Sequence, residues 1–387
     1  MKEIKREIEE VLRRLSTQYP VVTITGPRQS GKTTLCKSVF QDKPYVSLEN
    51  LDIRAEAVED PNGFLRKFPN GAVLDEIQRV PTLLSYIQTR VDSQDVNGQF
   101  ILTGSQNFQL LEAVTQSLAG RTALLTLLPL STSELSGIVL DASVESMLYT
   151  GFYPRVYKES LNPTEAMAFY TATYLERDIR DLLQVKDLAT FGHFLRACAS
   201  RTGQTLNIQS LSNECDISFV TAKQWLSVLE TSYILVKLQP HYINLNKRLA
   251  KTPKIHFLDS ALVCYLLGIT SKEQLVQHPL KGNIFESFVV TDLLKHHYNR
   301  GLQPRFYYFR ENNNHEVDVL IENGQRLLAV EIKSSETVSP QLIKNLKWYQ
   351  DQNPKLTESY LIYAGKQERM LGKTQVYTYQ NTQKLLD

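Results

Sequence analysis

The chain has 387 residues, of which 42% are hydrophobic and 22% charged, and its formal net charge is +2. This length exceeds what one core usually supports, so we expect two or three domains. The small net charge excludes a generally basic nucleic-acid-binding surface, so any basic face must be local. No apolar run is long enough to span a bilayer, and the first residues do not resemble a signal peptide. We therefore expect a cytoplasmic protein without a membrane partner.

The first predicted elements are a helix, a strand and a second helix. An N-terminal apolar face, formed by Ile4, Ile8, Val11, Leu12 and Leu15, predicts a helix packed on the domain that follows. The β-branched run at 21–25 predicts a buried parallel strand, and residues 33–40 predict the next helix.

A phosphate loop lies between that strand and the second helix. Residues 26–33, Gly-Pro-Arg-Gln-Ser-Gly-Lys-Thr, match the pattern G-x-x-x-x-G-K-[ST]. A glycine turn before a helix N-terminus directs backbone N–H groups at phosphate oxygens. Lys32 should reach the β- and γ-phosphates of ATP, and the Thr33 hydroxyl should ligate Mg²⁺. The predicted nucleotide-binding residues are Gly26, Pro27, Arg28, Gln29, Ser30, Gly31, Lys32, Thr33 and Thr34.

Two further apolar strands are predicted to end in catalytic groups. The first ends in Asp75, expected to hold the Mg²⁺ water shell, and Glu76, expected to orient and deprotonate the attacking water. The second ends in Thr103 and Ser105. Because the ends of parallel strands converge on a ligand crevice, either hydroxyl could bond the water or the γ-phosphate, although a plain turn fits nearly as well.

Arg121 lies between a helix predicted at 108–119 and a strand predicted at 122–128. From that place an arginine can project toward the phosphate of a neighbouring subunit and stabilise the charge of phosphoryl transfer. The alternative is a surface arginine near a helix C-terminus.

The order of these features resembles the AAA+ ATPases. More narrowly, segments 26–33, 102–106 and 118–121 resemble a prokaryotic AAA+-like family of about this length that carries a C-terminal domain of unknown function. Further segments match this family in order, at 174–179, 251–254, 257–259, 285–289 and 331–333. The chain departs from the family at 150–154, where a single glycine stands in place of two. The resemblance implies an ATPase that assembles with further copies of itself.

A helical connector is predicted after the ATPase part. Residues 162–165, Asn-Pro-Thr-Glu, predict the start of a helix that runs to about Val185. Its charged stretch pairs Glu176 with Arg180 and Arg177 with Asp181, either on the surface or at an intersubunit contact.

Residues from about 190 to 258 resemble a winged helix-turn-helix. Three helices, around Phe191, Ile208 and Trp225, precede two strands at 233–238 and 254–258. A basic loop between the strands, with Lys247, Arg248 and Lys251, could contact DNA phosphates. The third helix begins with Ser-Phe-Val-Thr, which is poor in base-reading side chains, so docking of a protein is the alternative.

The C-terminal part carries a second possible site. Glu331 and Lys333 share one face of a predicted strand, Asp318 lies on the neighbouring strand, and Glu286 lies on an apolar helical face. This pattern resembles the restriction-endonuclease-like fold, particularly its Holliday-junction-resolvase branch. The resemblance implies that the carboxylates hold Mg²⁺ at a scissile phosphate and that Lys333 positions the attacking water. The alternative is a scaffold in which Lys333, Glu331 and Glu286 satisfy one another by hydrogen bonds.

The sequence therefore predicts an α/β protein of four segments: an AAA+-like ATPase domain at 1–130, a helical connector at 131–188, a winged-helix-like segment at 189–258 and a nuclease-like domain at 259–387. We expect it to hydrolyse ATP with Mg²⁺ and to couple nucleotide state to DNA binding or processing. The alternative is a nucleotide-controlled protein-interaction or oligomerisation switch whose nuclease-like domain is inactive. The expected partners are further copies of the chain, DNA or a protein.

Overall fold

A computed structural model describes residues 4–105, 114, 116–139, 143–175, 187–241, 252–311 and 315–386. The chain forms two compact units. Unit 1 comprises Met1–Leu130, Thr231–Tyr233 and Tyr298–Leu302, and unit 2 comprises Ser131–Glu230, Ile234–His297 and Gln303–Asp387. All four cysteines are free and buried. Among the described residues, no helix combines the length and apolarity needed to cross a bilayer.

Unit 1 is built on a parallel sheet with strand order β2-β3-β4-β1-β5. Its strands are β1 (Val21–Thr25), β2 (Tyr45–Ser47), β3 (Ala72–Asp75), β4 (Phe100–Thr103) and β5 (Thr122–Thr126). Four are apolar enough to be wholly or largely buried, as expected for strands covered on both faces. Because all five are parallel, their carboxyl ends meet at one edge, and the phosphate loop leaves β1 at that edge.

Among the described residues of unit 1, the helices beside this sheet include α1 (Glu9–Ser16), α2 (Lys32–Val39), α3 (Leu51–Glu59), α4 (Pro61–Arg66) and α5 (Leu83–Asp92). The helix predicted at 108–119 lies mostly outside the described residues. Two apolar clusters form the core, one containing Leu74 and Leu102 and the other containing Ile24 and Ile101. The predicted N-terminal helix starts at Glu9 and not near Ile4. In the segment before the helix, the Arg6 side chain donates hydrogen bonds to the backbone carbonyls of Ser30 and Leu128.

Unit 2 combines helices with a nine-stranded mixed sheet. Its helices are α6 (Thr132–Ser136), α7 (Val144–Thr150), α8 (Pro154–Lys158), α9 (Pro163–Tyr170), α10 (Leu188–Ala199), α11 (Ile208–Glu214), α12 (Phe219–Thr231), α13 (Ser260–Leu266), α14 (Lys272–Gln277), α15 (Lys281–Asn299) and α16 (Lys344–Gln352). Its strands are β6 (Gln204–Thr205), β7 (Leu235–Pro240), β8 (Lys254–Phe257), β9 (Phe306–Arg310), β10 (Glu316–Asn323), β11 (Arg326–Lys333), β12 (Glu358–Tyr363), β13 (Arg369–Leu371) and β14 (Thr374–Thr378).

The strand order in unit 2 is β13-β14-β12-β11-β10-β9-β7-β8-β6. Strand β8 pairs antiparallel with both β6 and β7 beside the three helices α10 to α12. Strand β7 also pairs with β9 in parallel, with Gln239 opposite Tyr307. The hairpin that follows the three helices and the C-terminal strands therefore belong to one continuous sheet.

Two predicted elements of unit 2 have different bounds in the structure. The strand expected from Tyr233 begins at Leu235, because Tyr233 has a φ of +58°, which a strand residue does not adopt. The helix that starts after Asn162 is α-helical to Tyr170 and continues as a π-turn over Thr171–Leu175. The rest of that predicted helix, at 176–186, lies outside the described residues, as do its four paired charges.

The single glycine at 151, where the family pattern has two, ends α7 with a φ of +72°. A Cβ there would lie 2.6 Å from both the Asp259 carboxylate and the Ala261 side chain, so a larger residue does not fit. The same Asp259 accepts a 2.7 Å hydrogen bond from the backbone N–H of Phe152, which fixes the turn.

Candidate functional site

The phosphate loop joins β1 to α2 at the carboxyl edge of the sheet in unit 1. Gly26 has a φ of +145°, and a Cβ there would lie 2.1 Å from the carbonyl oxygen of Leu127, so only glycine fits. Gly31 has a φ of +97° and immediately precedes α2. The nine residues predicted for nucleotide binding, from Gly26 to Thr34, lie in this loop and the first turn of α2.

Lys32 is a buried ammonium whose partners are neutral. Its side chain donates to the carbonyl oxygens of Gly26 at 3.0 Å and Pro27 at 2.8 Å, and burial lowers its pKa to about 8. Carbonyls compensate a buried positive charge less well than an anion does. Ser30 Oγ is also buried, with no hydrogen-bond partner among the described residues. This donor set fits a phosphate group.

Arg6 supports the loop, although sequence analysis did not single it out. Its guanidinium donates to the carbonyl oxygen of Ser30 at 2.7 Å and to that of Leu128 at 2.8 Å, and the residue is only 6% exposed. It therefore ties the phosphate loop to the chain that leaves β5. Arg6 lies 24 residues before Ser30 in the sequence, so no local pattern indicates that it supports the loop.

Asp75 collects hydroxyl donors from three different elements. Its Oδ2 accepts hydrogen bonds from Thr33 at 3.0 Å and from Tyr45 at 2.5 Å, and its Oδ1 accepts one from Thr103. Tyr45 lies on β2 and was not predicted as a site residue. Burial and the hydrogen bond to Asp75 raise the pKa of Tyr45, so its phenol stays a donor. A carboxylate next to the Thr33 hydroxyl fits the hard oxygen ligands that Mg²⁺ prefers.

Glu76 follows directly, in a left-handed conformation with a φ of +58° and a ψ of +46°. Non-glycine residues adopt this conformation rarely, and such strain is frequent at functional sites. Its Oε2 accepts hydrogen bonds from Ser105 at 3.0 Å and from Gln78, which sequence analysis missed. Its backbone N–H lies 3.4 Å from the hydroxyl of Thr103. The structure thus brings together four of the five predicted catalytic residues, Asp75, Glu76, Thr103 and Ser105.

Arg121, in contrast, lies away from this group. It precedes Thr122, which pairs with Val21 at the amino end of β1, whereas the phosphate loop follows Thr25 at the carboxyl end. Four strand residues separate the two levels by about 13 Å. The Arg121 guanidinium forms a bidentate pair with Asp92, with nitrogen–oxygen distances of 2.5 and 2.8 Å. In its own chain it is therefore not a ligand of the phosphate loop.

The four residues of the second predicted site also lie together, in unit 2. Asp318 Oδ2 accepts hydrogen bonds from the backbone N–H of Ile332 at 2.8 Å and from Lys333 Nζ at 3.2 Å. Lys333 Nζ also lies 2.6 Å from Glu331 Oε1. Burial lowers the pKa of Lys333, but Asp318 and Glu331 outweigh it, so the pKa is raised above its usual value.

Two further residues complete this carboxylate cluster. Lys254 at the start of β8 pairs with Glu286 at 2.8 Å and with Glu316 at 2.5 Å. The predicted internal group of Lys333, Glu331 and Glu286 is thus wrong in one partner, because the lysine bonded to Glu286 is Lys254. Nowhere in the described chain do three or more His, Cys, Asp or Glu residues have an arrangement that could hold a metal ion.

The region predicted as a winged helix has a mostly apolar interior. Trp225 of α12 packs edge-on against Phe191 and Phe194 of α10, at centroid distances of 5.2 and 5.1 Å. The start of α12 exposes Phe219 and Val220. The predicted basic loop with Lys247, Arg248 and Lys251 lies outside the described residues, so its contacts stay a prediction.

Three family models match the chain. Residues 18–136 match the AAA domain, 141–273 a domain of unknown function (DUF8612), and 281–381 another domain of unknown function (DUF4143). Uncharacterized proteins from Mycobacterium bovis and Mycobacterium tuberculosis are each 30% identical over 343 residues, which cover 87% of this chain and 75% of theirs. Among solved structures, a Walker-type ATPase of Pyrococcus abyssi aligns with 67% of this chain and 94% of its own, at 16% identity and a TM-score of 0.44.

Proposed function

This chain belongs to the same family as the two mycobacterial proteins and carries an AAA-type P-loop domain, and on that premise we propose that it binds ATP with Mg²⁺ and hydrolyses it. The observation that carries the proposal is the 3.0 Å hydrogen bond between the Thr33 hydroxyl and Asp75, beside the strained Glu76. The phosphate loop, the Thr33 hydroxyl and the carboxylates of Asp75 and Glu76 lie together at the carboxyl edge of one sheet, as phosphoryl transfer requires.

Each residue has one role in this proposal. ATP with its bound Mg²⁺ supplies the reactive phosphate. Lys32 would exchange its carbonyl partners for a phosphate oxygen, and Thr33 and Asp75 would hold Mg²⁺ and its water shell. Glu76 orients the attacking water and accepts its proton, while Ser105 fixes the carboxylate.

Substitution of Glu76 by Gln tests the hydrolytic role. Loss of the proton acceptor should lower the rate of phosphate release by about 10²–10⁴-fold while ATP binding persists in calorimetry. Glu59→Gln, at the end of α3 in the same domain, is the matched control and should keep full turnover. Unchanged turnover in Glu76→Gln would remove Glu76 from its role. Unaltered ATP binding by Lys32→Ala would contradict the phosphate-loop assignment.

We also propose that Arg121 acts on the nucleotide of a neighbouring copy. Support comes from its place at the amino edge of β5, about 13 Å in strand rise from its own phosphate loop, and from its partial exposure. A cation from a second subunit would stabilise the charge of phosphoryl transfer. An active enzyme would then require at least two copies.

Mixing inactive variants tests this arrangement. Lys32→Ala retains Arg121, and Arg121→Ala retains the phosphate loop, so a mixture of the two should regain ATPase activity that neither has alone. A mixture of Arg121→Ala with the double variant Lys32→Ala/Arg121→Ala should regain none. Absence of recovery in the first mixture, with mixed oligomers demonstrated by pull-down of a tagged subunit, would exclude the arrangement.

For unit 2 we propose DNA binding or processing controlled by the nucleotide. Support comes from the three helices α10 to α12 beside strands β6, β8 and β7, and from the cluster of Glu286, Asp318, Glu331 and Lys333. A protein-interaction or oligomerisation switch is the second candidate. It is favoured by the exposed Phe219 and by the Lys254 ammonium within the carboxylates.

A cleavage assay separates the two candidates. Branched and linear DNA are incubated with the protein, ATP and Mg²⁺ or Mn²⁺, with Asp318→Ala as control. Cleavage lost in Asp318→Ala supports the nuclease, whereas cleavage that persists in this variant counts against the site. Salt-dependent binding without cleavage would indicate a DNA-bound switch.

A further inference from the structure

The carboxylate cluster of unit 2 already contains a cation that belongs to the chain. Lys254 is 3% exposed, and its Nζ lies 2.8 Å from Glu286, 2.5 Å from Glu316 and 3.9 Å from Asp318. Glu286 lies on α15, and Glu316 and Asp318 lie on β10. Because Lys254 itself lies on β8, its ammonium joins one helix to two strands. The carboxylate oxygens around this ammonium are of the kind that a hard divalent cation prefers as ligands.

A second observation indicates that the ammonium does not fully satisfy the cluster. Glu331 is 3% exposed, and its Oε2 is buried without a hydrogen-bond partner among the described residues. Its other oxygen lies 2.6 Å from Lys333. A buried carboxylate oxygen without a donor is costly, and a metal ion would compensate it.

The charges of the cluster point the same way. Four carboxylates, those of Glu286, Glu316, Asp318 and Glu331, face the two ammonium groups of Lys254 and Lys333, and Arg310 adds a guanidinium 3.7 Å from Glu316 at the exposed side.

We propose that Lys254 is a resident cation that keeps the carboxylate cluster closed to metal, and that the cluster takes up one hard divalent cation when this ammonium is withdrawn. Glu316 thereby becomes a member of the site, beside Glu286, Asp318 and Glu331. The proposal adds control of metal binding to the nuclease-like function proposed for unit 2. It rests on that function, because a nuclease would use the bound metal ion. In the described residues the cluster is not arranged to hold a metal ion, and Lys254 pairs with two of its carboxylates.

Binding of Mn²⁺ to the full chain without nucleotide tests the proposal. Wild-type protein should bind Mn²⁺ weakly in calorimetry and by electron paramagnetic resonance. Lys254→Met should gain one site, with an affinity at least about ten-fold tighter than that of wild type. The double variant Lys254→Met/Asp318→Asn should lose that site. Lys237→Met is the matched control, because Lys237 on the neighbouring strand pairs with Glu230, which lies outside the carboxylate cluster.

Removal of a buried cation can impair folding, so a second variant preserves the test. Lys254→Met/Glu316→Gln removes one carboxylate along with the ammonium and leaves three, so it should also bind one Mn²⁺ and gain thermal stability from it. Stoichiometric Mn²⁺ binding by wild type that Asp318→Asn abolishes would overturn the proposal, as would folded variants that bind none. DNA cleavage is not the readout, so failure of the nuclease function and failure of this inference remain distinguishable.

Discussion

Each unit contains a buried lysine close to carboxylates, Lys32 in unit 1 and Lys254 in unit 2, and these two lysines have opposite hydrogen-bond partners. Lys32 in unit 1 donates to two backbone carbonyls, and burial lowers its pKa to about 8. Lys254 in unit 2 is buried too, but Glu286, Asp318 and Glu316 outweigh burial and raise its pKa above the usual value. The first ammonium has no anion among its hydrogen-bond partners in the described chain and can receive one, whereas the second already pairs with carboxylates. Burial of a lysine therefore does not by itself identify a ligand site; its partners do.

The largest effect expected from this comparison is on stability. Lys254→Met should lower the free energy of unfolding of unit 2 by about 3–5 kcal/mol, because it leaves buried carboxylates without their cation. Trp225 and Trp348 both lie in unit 2, so their fluorescence during urea unfolding reports this loss. Lys32→Met should leave calorimetric stability unchanged or raise it. An equal loss of free energy of unfolding in Lys254→Met and Lys32→Met would contradict the contrast between the two lysines.

The next largest effect is expected on ATP affinity, measured over a series of pH values. In the free protein the Lys32 ammonium is present below about pH 7 and is lost as pH rises through its lowered pKa of about 8. ATP affinity should therefore fall by up to about ten-fold per pH unit above pH 8, with uptake of a proton on binding. Lys32→Arg stays charged and should show no such fall. An affinity of wild type that is constant to pH 9.5 would contradict this assignment.

The smallest expected effect concerns Tyr45. Tyr45→Phe removes one of the three hydroxyl donors to Asp75, so the Mg²⁺ concentration for half-maximal ATPase activity should rise by about ten-fold, as for loss of one hydrogen bond to a charged group. ATP binding without Mg²⁺ should stay unchanged. Tyr86→Phe, on α5 of the same domain, is the control. An unchanged Mg²⁺ dependence would leave Tyr45 with a structural role only.

Local motifs and strand ends could be predicted from the sequence, and contacts between distant strands could not. The phosphate loop is one continuous segment, and Asp75 and Glu76 follow from the rule that parallel strands converge at their carboxyl ends. Tyr45 reaches Asp75 only because β2 pairs with β3, and nothing in a three-residue strand indicates this register.

Lys254 was missed for a related reason, although one signal was present. Strand β8 is buried at every position, and a lysine in such a strand requires a charged partner. Which partner it takes depends on the packing of α15 and β10 around it, and these elements follow much later in the chain. The sequence thus indicated residues that lie together in each candidate site, but not all of the residues that complete it.

The pairing of β7 with β9 has a practical consequence for dissecting this protein. A fragment that starts at residue 259 would lose the neighbour of β9 and leave one edge of this five-residue strand unpaired, which favours aggregation. The same cut would remove Lys254 and leave its carboxylate partners facing one another. Activity assigned to such a truncated piece would describe an altered protein, so questions about the C-terminal chemistry belong to the intact polypeptide.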